Sequence, residues 1–391
     1  MIIEDNNIGF SFPKSQTAAN HLTVSYEYLT NADAQEAAFL LCREQSTSTW
    51  NKLHNESIKI RKHRGAKLIS CDTKEIVIAY PDINFDPYIT DIFITILGNG
   101  TFLNNTIFRK LRIKSIQFPN SILNKIIGPA FGYDLSKLFN KKKRPIVIAV
   151  QKPSIGLSTK DHIERVIQAF EGGCEIVKED EQFRPNDFDS KLDQRIRLLL
   201  NKLPKVISRL KEHRLYLINL ASNFKLWEYV NAINEINDKF PKPIFGVMLS
   251  YVQGYSIIQS VCNNTSTPVF IHPSGMGIVT RGNFGISEQV YNLLLRLCGS
   301  DVIIYPSPFS KLAYSKQSIN KILEVSNMEL ENIKETMFAF GCGVNKNVLE
   351  KMKRLIKGKY MVLMGGAIFS YPKGPFYGAK TIIEYLDELY N

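Results

Sequence analysis

The 391-residue chain has six cysteines (Cys42, Cys71, Cys174, Cys262, Cys298 and Cys342) and no CxxC pair among them. Such scattered single cysteines argue against a zinc ribbon or a dithiol redox motif and read as reduced, mostly buried thiols of a cytoplasmic protein. No apolar run approaches the roughly 20 residues that a membrane span needs. The start, Met1-Ile2-Ile3-Glu4-Asp5-Asn6, has no basic leader before an apolar core, so no secretory signal is expected. Low-complexity tracts, nucleic-acid motifs and internal repeats beyond a βα period are also missing. The formal net charge is +12, and its basic residues are dispersed apart from Lys141-Lys142-Lys143-Arg144. That cluster reads as an exposed connection before a buried strand. The excess charge is equally consistent with a phosphorylated small molecule, and with the basic residues dispersed and no motif present no nucleic-acid or membrane partner is expected.

What the chain does have is a long alternation of short apolar runs with amphipathic segments. Strands are expected at Ile146–Val150, Glu175–Lys178, Leu215–Leu220, Ile244–Leu249, Val269–His272, Val302–Tyr305, Met337–Phe340 and Met361–Met364. Between them, segments such as His162–Phe170, Gln194–Lys211, Leu226–Asn237 and Glu288–Leu297 carry helical periodicity. Eight such units over residues 145–391 predict an α/β fold of the (β/α)8 TIM-barrel type, with chemistry at the C-terminal strand ends. Residues 1–125 read differently, as a small α+β, ferredoxin-like domain. Its expected strands are Leu22–Tyr28, Ile76–Ala79, Ile92–Leu97 and Arg112–Gln117, and its expected helix is Asp33–Arg43. Residues 126–144 are the expected linker.

The densest chemistry is in Gly172-Gly173-Cys174-Glu175-Ile176-Val177-Lys178-Glu179-Asp180-Glu181. Strand alternation sends Lys178 and Asp180 to one side, with Glu181 turning off the strand end. Paired carboxylates suit a hard divalent cation, whereas lysine is an oxygen ligand only if modified. A solvated acidic cluster at a strand end is the bland alternative.

The segment resembles the metal-binding strand G-G-x-D-x-x-K-D-D-E of the RuBisCO large-chain superfamily, and further matches follow in order. Glu44-Gln45-Ser46-Thr47-Ser48-Thr49-Trp50 is similar to E-S-S-T-G-T-W, and Gly98-Asn99 to the family's G-N turn. Gln151-Lys152-Pro153-Ser154-Ile155-Gly156-Leu157-Ser158 resembles K-P-K-x-G-L-S, and Ile271-His272-Pro273-Ser274-Gly275 matches the strand with a histidine near the metal. Asp301–Leu312 aligns with the sixth strand and its loop, and its Tyr-Pro-Ser-Pro-Phe is closer to the F-P-S-P-Y of the diketo-methylthiopentyl-phosphate enolases.

The resemblance implies Mg2+ held by Asp180, Glu181 and Lys178, the last carrying CO2 as a carbamate. It implies catalytic roles for Lys152, His272 and the loop lysine Lys311. It implies a phosphate site at Gly343, Gly365 and Gly366 with Thr49 and Trp50. It also implies a homodimer in which Glu44, Thr49, Trp50 and Asn99 reach the neighbour's barrel. Lys152 and Lys110, which falls at the enolase base, remain rival bases.

Three departures matter: Ser154 replaces a second lysine, Pro273 an arginine and Ile304 a histidine of the CO2-fixing members. One phosphate site is thereby kept and the other damaged. The implied activity is RuBisCO-like (form IV) Mg2+-dependent enolisation or isomerisation of a phosphorylated ketone, such as 2,3-diketo-5-methylthiopentyl 1-phosphate of methionine salvage, and not CO2 fixation. Alternatives are a methylthioribulose-phosphate isomerase, a sugar-acid phosphate decarboxylase, or a non-catalytic relic of the fold.

Overall fold

A computed structural model describes residues 7–12, 18–49, 53, 56–103, 106–139, 143–182, 192–221, 225–309 and 316–391. The N-terminal α+β part has strands β1 (His21–Thr30), β2 (Lys67–Cys71), β3 (Glu75–Pro81) and β4 (Phe108–Gln117). They pair antiparallel in the order β4-β1-β3-β2. Alternation along β1 buries Leu22, Val24, Tyr26 and Tyr28, and the helix Ala34–Glu44 covers that layer. Asp33 starts this helix by accepting from the Gln35 and Glu36 amides at 3.0 Å, which satisfies two otherwise orphaned donors.

The expected strand at Ile92–Leu97 is instead helical, an α-turn over Ile89–Phe93 running into a π-turn over Ile94–Gly98. The buried residues Ile89, Ile92, Ile96 and Leu97 recur at helical spacing. A one-sided apolar stripe of that period outweighs the strand preference of β-branched residues.

The second part is built from β5 (Ile146–Val150), β6 (Ile176–Lys178), β7 (Leu215–Asn219), β8 (Phe245–Ser250), β9 (Val269–His272), β10 (Phe284–Ile286), β11 (Val302–Pro306), β12 (Met337–Gly341) and β13 (Met361–Met364). All but β10 close into a parallel barrel, β13 returning to β5. This is the eight-stranded TIM barrel the apolar runs predict. The short β10 leaves it and adds to the N-terminal sheet as a parallel neighbour of β4, a pairing the sequence reading did not anticipate.

Each barrel strand is apolar on both sides, because one side fills the barrel and the other meets the helices. Ile148, Val150, Ile176, Leu215, Leu217, Met248, Phe270, Val302, Ile304, Met337, Ala339, Met361 and Leu363 form the interior. Their strand neighbours, Val147, Val177, Tyr216, Ile271, Ile303 and Phe340 among them, belong to the outer core.

The connecting stretch is also built in. Leu135 and Phe139 are buried within the interior cluster and close the barrel from below. Arg144, expected on an exposed connection, is buried, because its guanidinium pairs with Glu175 and Asp387 at 2.6 Å each. Asp301 fastens the plug to the barrel. One of its oxygens accepts from the Phe131 and Gly132 amides at 2.6 and 3.0 Å, and the other from Val269 at 2.9 Å.

Burial raises the Asp301 carboxyl to about 6, against the pull of those three amides. A raised folded-state value means that its contribution to stability is full below the ordinary carboxylate range and is lost as pH rises through about 6. Urea denaturation of the parent and Asp301→Asn across this range checks the sign. The parent's stability relative to the variant should fall from acid to neutral pH, and a rise would contradict the assignment. Asp301→Ala, which orphans the amides, should cost about 2–4 kcal/mol at acid pH and less once the pH passes about 6.

Candidate functional site

The inward parity of the barrel strands continues past their C-terminal ends. Val150 is followed at the same parity by Lys152, Ile176 by Lys178 and Asp180, Phe270 by His272, Leu363 by Gly365, and Ala339 by Gly341 and Gly343. These residues converge on a cavity of about 750 Å³ that is also lined by Glu181, Pro273, Ile304, Cys342 and Gly366.

The charged side chains form two neighbouring groups, Lys152 with Asp180 and Lys178 with Glu181 and His272. Lys152 Nζ donates to Asp180 Oδ2 at 2.6 Å and to Ser154 Oγ at 2.8 Å. Lys178, almost wholly buried, donates to the Glu179 carbonyl at 2.8 Å and stands 3.5 Å from Glu181 Oε2. Glu181 Oε2 lies 3.3 Å from His272 Nε2, and His272 Nδ1 is 2.7 Å from Ser274 Oγ. Asn219 holds the chain beneath, its side-chain amide donating to the Asp180 and Glu181 carbonyls at 3.0 and 3.2 Å.

Burial lowers the Lys178 amine from its ordinary value, although Glu181 and Asp180 pull the other way. His272 is lowered to about 4, first by burial and then by the Lys178 charge, so it is neutral near pH 7. Burial alone would raise Asp180. The Lys152 hydrogen bond, the Gln182 amide and the charges of Lys178 and Lys152 outweigh it and hold the carboxyl below its usual range.

Glu179 has the opposite parity and points out of the barrel. It is fully buried, 3.1 Å from Arg195 Nη1, and accepts from the Tyr216 hydroxyl at 3.1 Å and the Asn219 amide at 2.8 Å. Tyr216 meets His162 Nε2 at 2.6 Å. Burial raises Glu179 despite the arginine, and burial followed by Arg195 lowers His162 to about 3. The sequence reading missed this cluster. Its signal was an acid at outward parity between two inward site residues, facing an arginine on the buried stripe of the helix Leu192–Ile207.

Gly343 has φ +87° and open space on the side where a Cβ would lie. A Cβ on Gly365 would touch the Lys152 stem at 3.5 Å, so a glycine there lets the lysine lie across the strand end. Cys342, between two glycines, also takes a left-handed conformation at φ 66°, which costs a side-chain-bearing residue about 1 kcal/mol or more. Backbone opened in this way can cradle an anion.

Lys152, Lys178, Asp180, Glu181, His272, Gly343, Gly365 and Gly366 are thus brought to one cavity. Glu44, Thr49, Asn99 and Lys110 are not among its lining residues. Lys110 pairs with Glu27 at 2.5 Å on the N-terminal sheet, and Asn99 is exposed. Glu44 Oε1 is buried with no hydrogen-bond partner among the described residues. The neighbouring segment is pinned, with Thr47 on Glu56 at 2.6 Å and Glu56 on Arg61 at 2.8 Å. Trp50 and Lys311 lie outside the described residues.

Glu179→Ala should lower stability by about 3–5 kcal/mol, because it leaves the Arg195 charge buried without its carboxylate. Thermal or urea unfolding would read this. A loss within the range of ordinary surface changes would mean that Arg195 finds another partner.

Residues 133–388 match the family "Ribulose bisphosphate carboxylase large chain, catalytic domain", and residues 13–122 match its N-terminal domain. A ribulose bisphosphate carboxylase-like protein of Chlorobaculum thiosulfatiphilum is 26% identical over 408 aligned positions, covering 98% of this chain and 92% of the relative. The 2,3-diketo-5-methylthiopentyl-1-phosphate enolase of Bacillus velezensis is 24% identical, covering 94% and 92%. The fold matches the octameric ribulose-1,5-bisphosphate carboxylase/oxygenase of Pyrococcus horikoshii, with a TM-score of 0.85 at 22% identity over 98% of this chain and 93% of that one. It also matches the dimeric archaeal enzyme of Hyperthermus butylicus, with a TM-score of 0.84 at 19% identity over 98% and 94%. With matches over both halves of its length, the chain belongs to the ribulose bisphosphate carboxylase large-chain family.

Proposed function

We propose that this protein enolises a phosphorylated ketone that carries a single phosphate, and that 2,3-diketo-5-methylthiopentyl 1-phosphate is the first candidate. The observation that carries this reading is the composition of the cavity. A lysine–carboxylate set (Lys152, Lys178, Asp180, Glu181) and open glycine backbone share it with the apolar Ile304 and Pro273. A second phosphate would meet those two apolar side chains at the positions where the CO2-fixing members place cations. The name of the Bacillus velezensis relative agrees with the reading.

Asp180 and Glu181 offer the one or two carboxylates that Mg2+ usually takes from a protein. Among the described residues no three His, Cys, Asp or Glu side chains are grouped to hold a metal, so a third protein oxygen would have to come from Lys178 as a carbamate. The lowered Lys178 amine fits that modification, because CO2 adds to the neutral amine. Unmodified, Lys152 and Lys178 balance the charges of Asp180 and Glu181. As a carbamate, Lys178 changes from positive to negative and leaves a net charge that a divalent cation offsets. Bound there, Mg2+ would make the carbon next to the ketone more acidic by stabilising the enolate oxygen.

We assign the proton transfer to Lys152, whose Nζ is held by Ser154 and faces the same cavity. The rival Lys110 is tied to Glu27 and would act only in a neighbouring copy. A second copy is part of the proposal, because Glu44, Thr49 and Asn99 stand away from the cavity of their own chain.

Incubation with Mg2+ and bicarbonate in D2O, followed by proton NMR on a panel of phosphorylated ketones, tests the reading. Exchange should appear with a monophosphate, vanish in Lys178→Ala, and fall by about 10²–10⁴-fold in Lys152→Ala. Exchange that survives Lys178→Ala would sink the proposal. Ribulose bisphosphate with labelled CO2 should yield no labelled acid. Labelled product would show that Pro273 and Ile304 do not exclude the second phosphate.

A further inference from the structure

The stretch that follows His272 has two attachments. Pro273, Ser274, Met276, Gly277 and Arg281 line the cavity. A few residues later the same stretch leaves the barrel as β10 and joins the edge of the N-terminal sheet. The Leu111 amide donates to the Asn283 carbonyl at 3.0 Å, the Ser287 amide to Ile113 at 2.8 Å, and the Ser287 hydroxyl to Lys114 at 2.9 Å.

One side chain of the sheet holds the turn between wall and strand. The Arg112 guanidinium donates to the Thr280 carbonyl at 2.7 Å, to the Ile286 carbonyl at 2.6 Å and to the Gly282 carbonyl. It thus captures main-chain acceptors on both sides of the bend that Arg281 begins. The bend is tightly closed, because a Cβ on Gly285 (φ +140°) would lie 2.1 Å from the Val279 carbonyl oxygen. Just beyond β10, Glu288 accepts from the hydroxyl of Tyr305, which also lines the cavity, at 2.5 Å.

We infer that the N-terminal sheet sets the position of this cavity wall through Arg112, which makes Arg112 a positioning residue for substrate binding although it lines no part of the cavity. Five guanidinium N–H groups in a rigid fork suit several carbonyls that face different ways, which a lysine cannot match. The wall itself is a short helical turn, Met276–Thr280. Such a turn has little stability of its own and takes its place from what it is tied to. The activity part of the inference rests on the enolase reading. The conformational part does not.

The test uses the full chain with Arg112→Ala and Arg112→Lys, each first checked for parent-like circular dichroism. Arg281 is exposed, and the carbonyl of the residue after it is held by Arg112 in the parent. Trypsin should therefore cut after Arg281 about tenfold or more faster in Arg112→Ala, with cuts elsewhere in the barrel unchanged, because local opening governs such cleavage. Arg112→Lys should lie between the two. With 2,3-diketo-5-methylthiopentyl 1-phosphate, Arg112→Ala should raise KM about fivefold or more and leave kcat within about twofold, the pattern of lost substrate positioning rather than lost folded enzyme.

Unchanged cutting after Arg281, or cutting accelerated equally throughout the barrel, overturns the inference. So does a fall in kcat at unchanged KM. If the parent turns over no compound, the enolase reading fails, and the protease pattern alone still decides whether Arg112 holds the wall.

Discussion

The two-residue period of a strand wedged between a filled barrel and a ring of helices is the constraint on which this site depends. At the end of β6 it separates three consecutive charged residues, Lys178, Glu179 and Asp180, by direction. Lys178 and Asp180 face the cavity, while Glu179 is driven outward into the layer between strand and helix. A carboxylate there is tolerable only with a partner. Arg195, Tyr216 and the Asn219 amide provide it. The outward ion pair and the inward site are therefore two sides of one short piece of chain, and Asn219 links them by holding the main chain of Asp180 and Glu181.

Inside the cavity the charges neutralise one another. Lys152 sits on Asp180, while Lys178 and neutral His272 sit by Glu181. Val150, Ile304, Leu363 and Met276 make part of the remaining lining apolar. Burial depresses the Lys178 amine and His272 alike.

Most of the barrel was legible because each of its strands is a short apolar run between helical segments, and the inward parity of Lys152, Lys178, Asp180 and His272 could be counted along the chain. Elements whose identity rests on a remote partner were not legible. β10 is three residues long and exists as a strand because the β4 edge accepts it. The Ile89–Gly98 segment is rich in β-branched residues, yet it packs one face against the core as a helix. Arg144 stands next to lysines in the sequence and beside Glu175 and Asp387 in space.

The sequence by itself determined the barrel period and the chemical types at the strand ends, the apolar Pro273 and Ile304 among them, because these follow from local alternation and residue identity. Only the tertiary structure decided that Lys152 reaches Asp180, that Glu179 turns to Arg195, that the connection plugs the barrel, and that Arg112 ties the cavity wall to the N-terminal sheet. Each of these is a contact between segments far apart along the chain, and its distance is fixed by how the barrel closes rather than by any pattern within one segment.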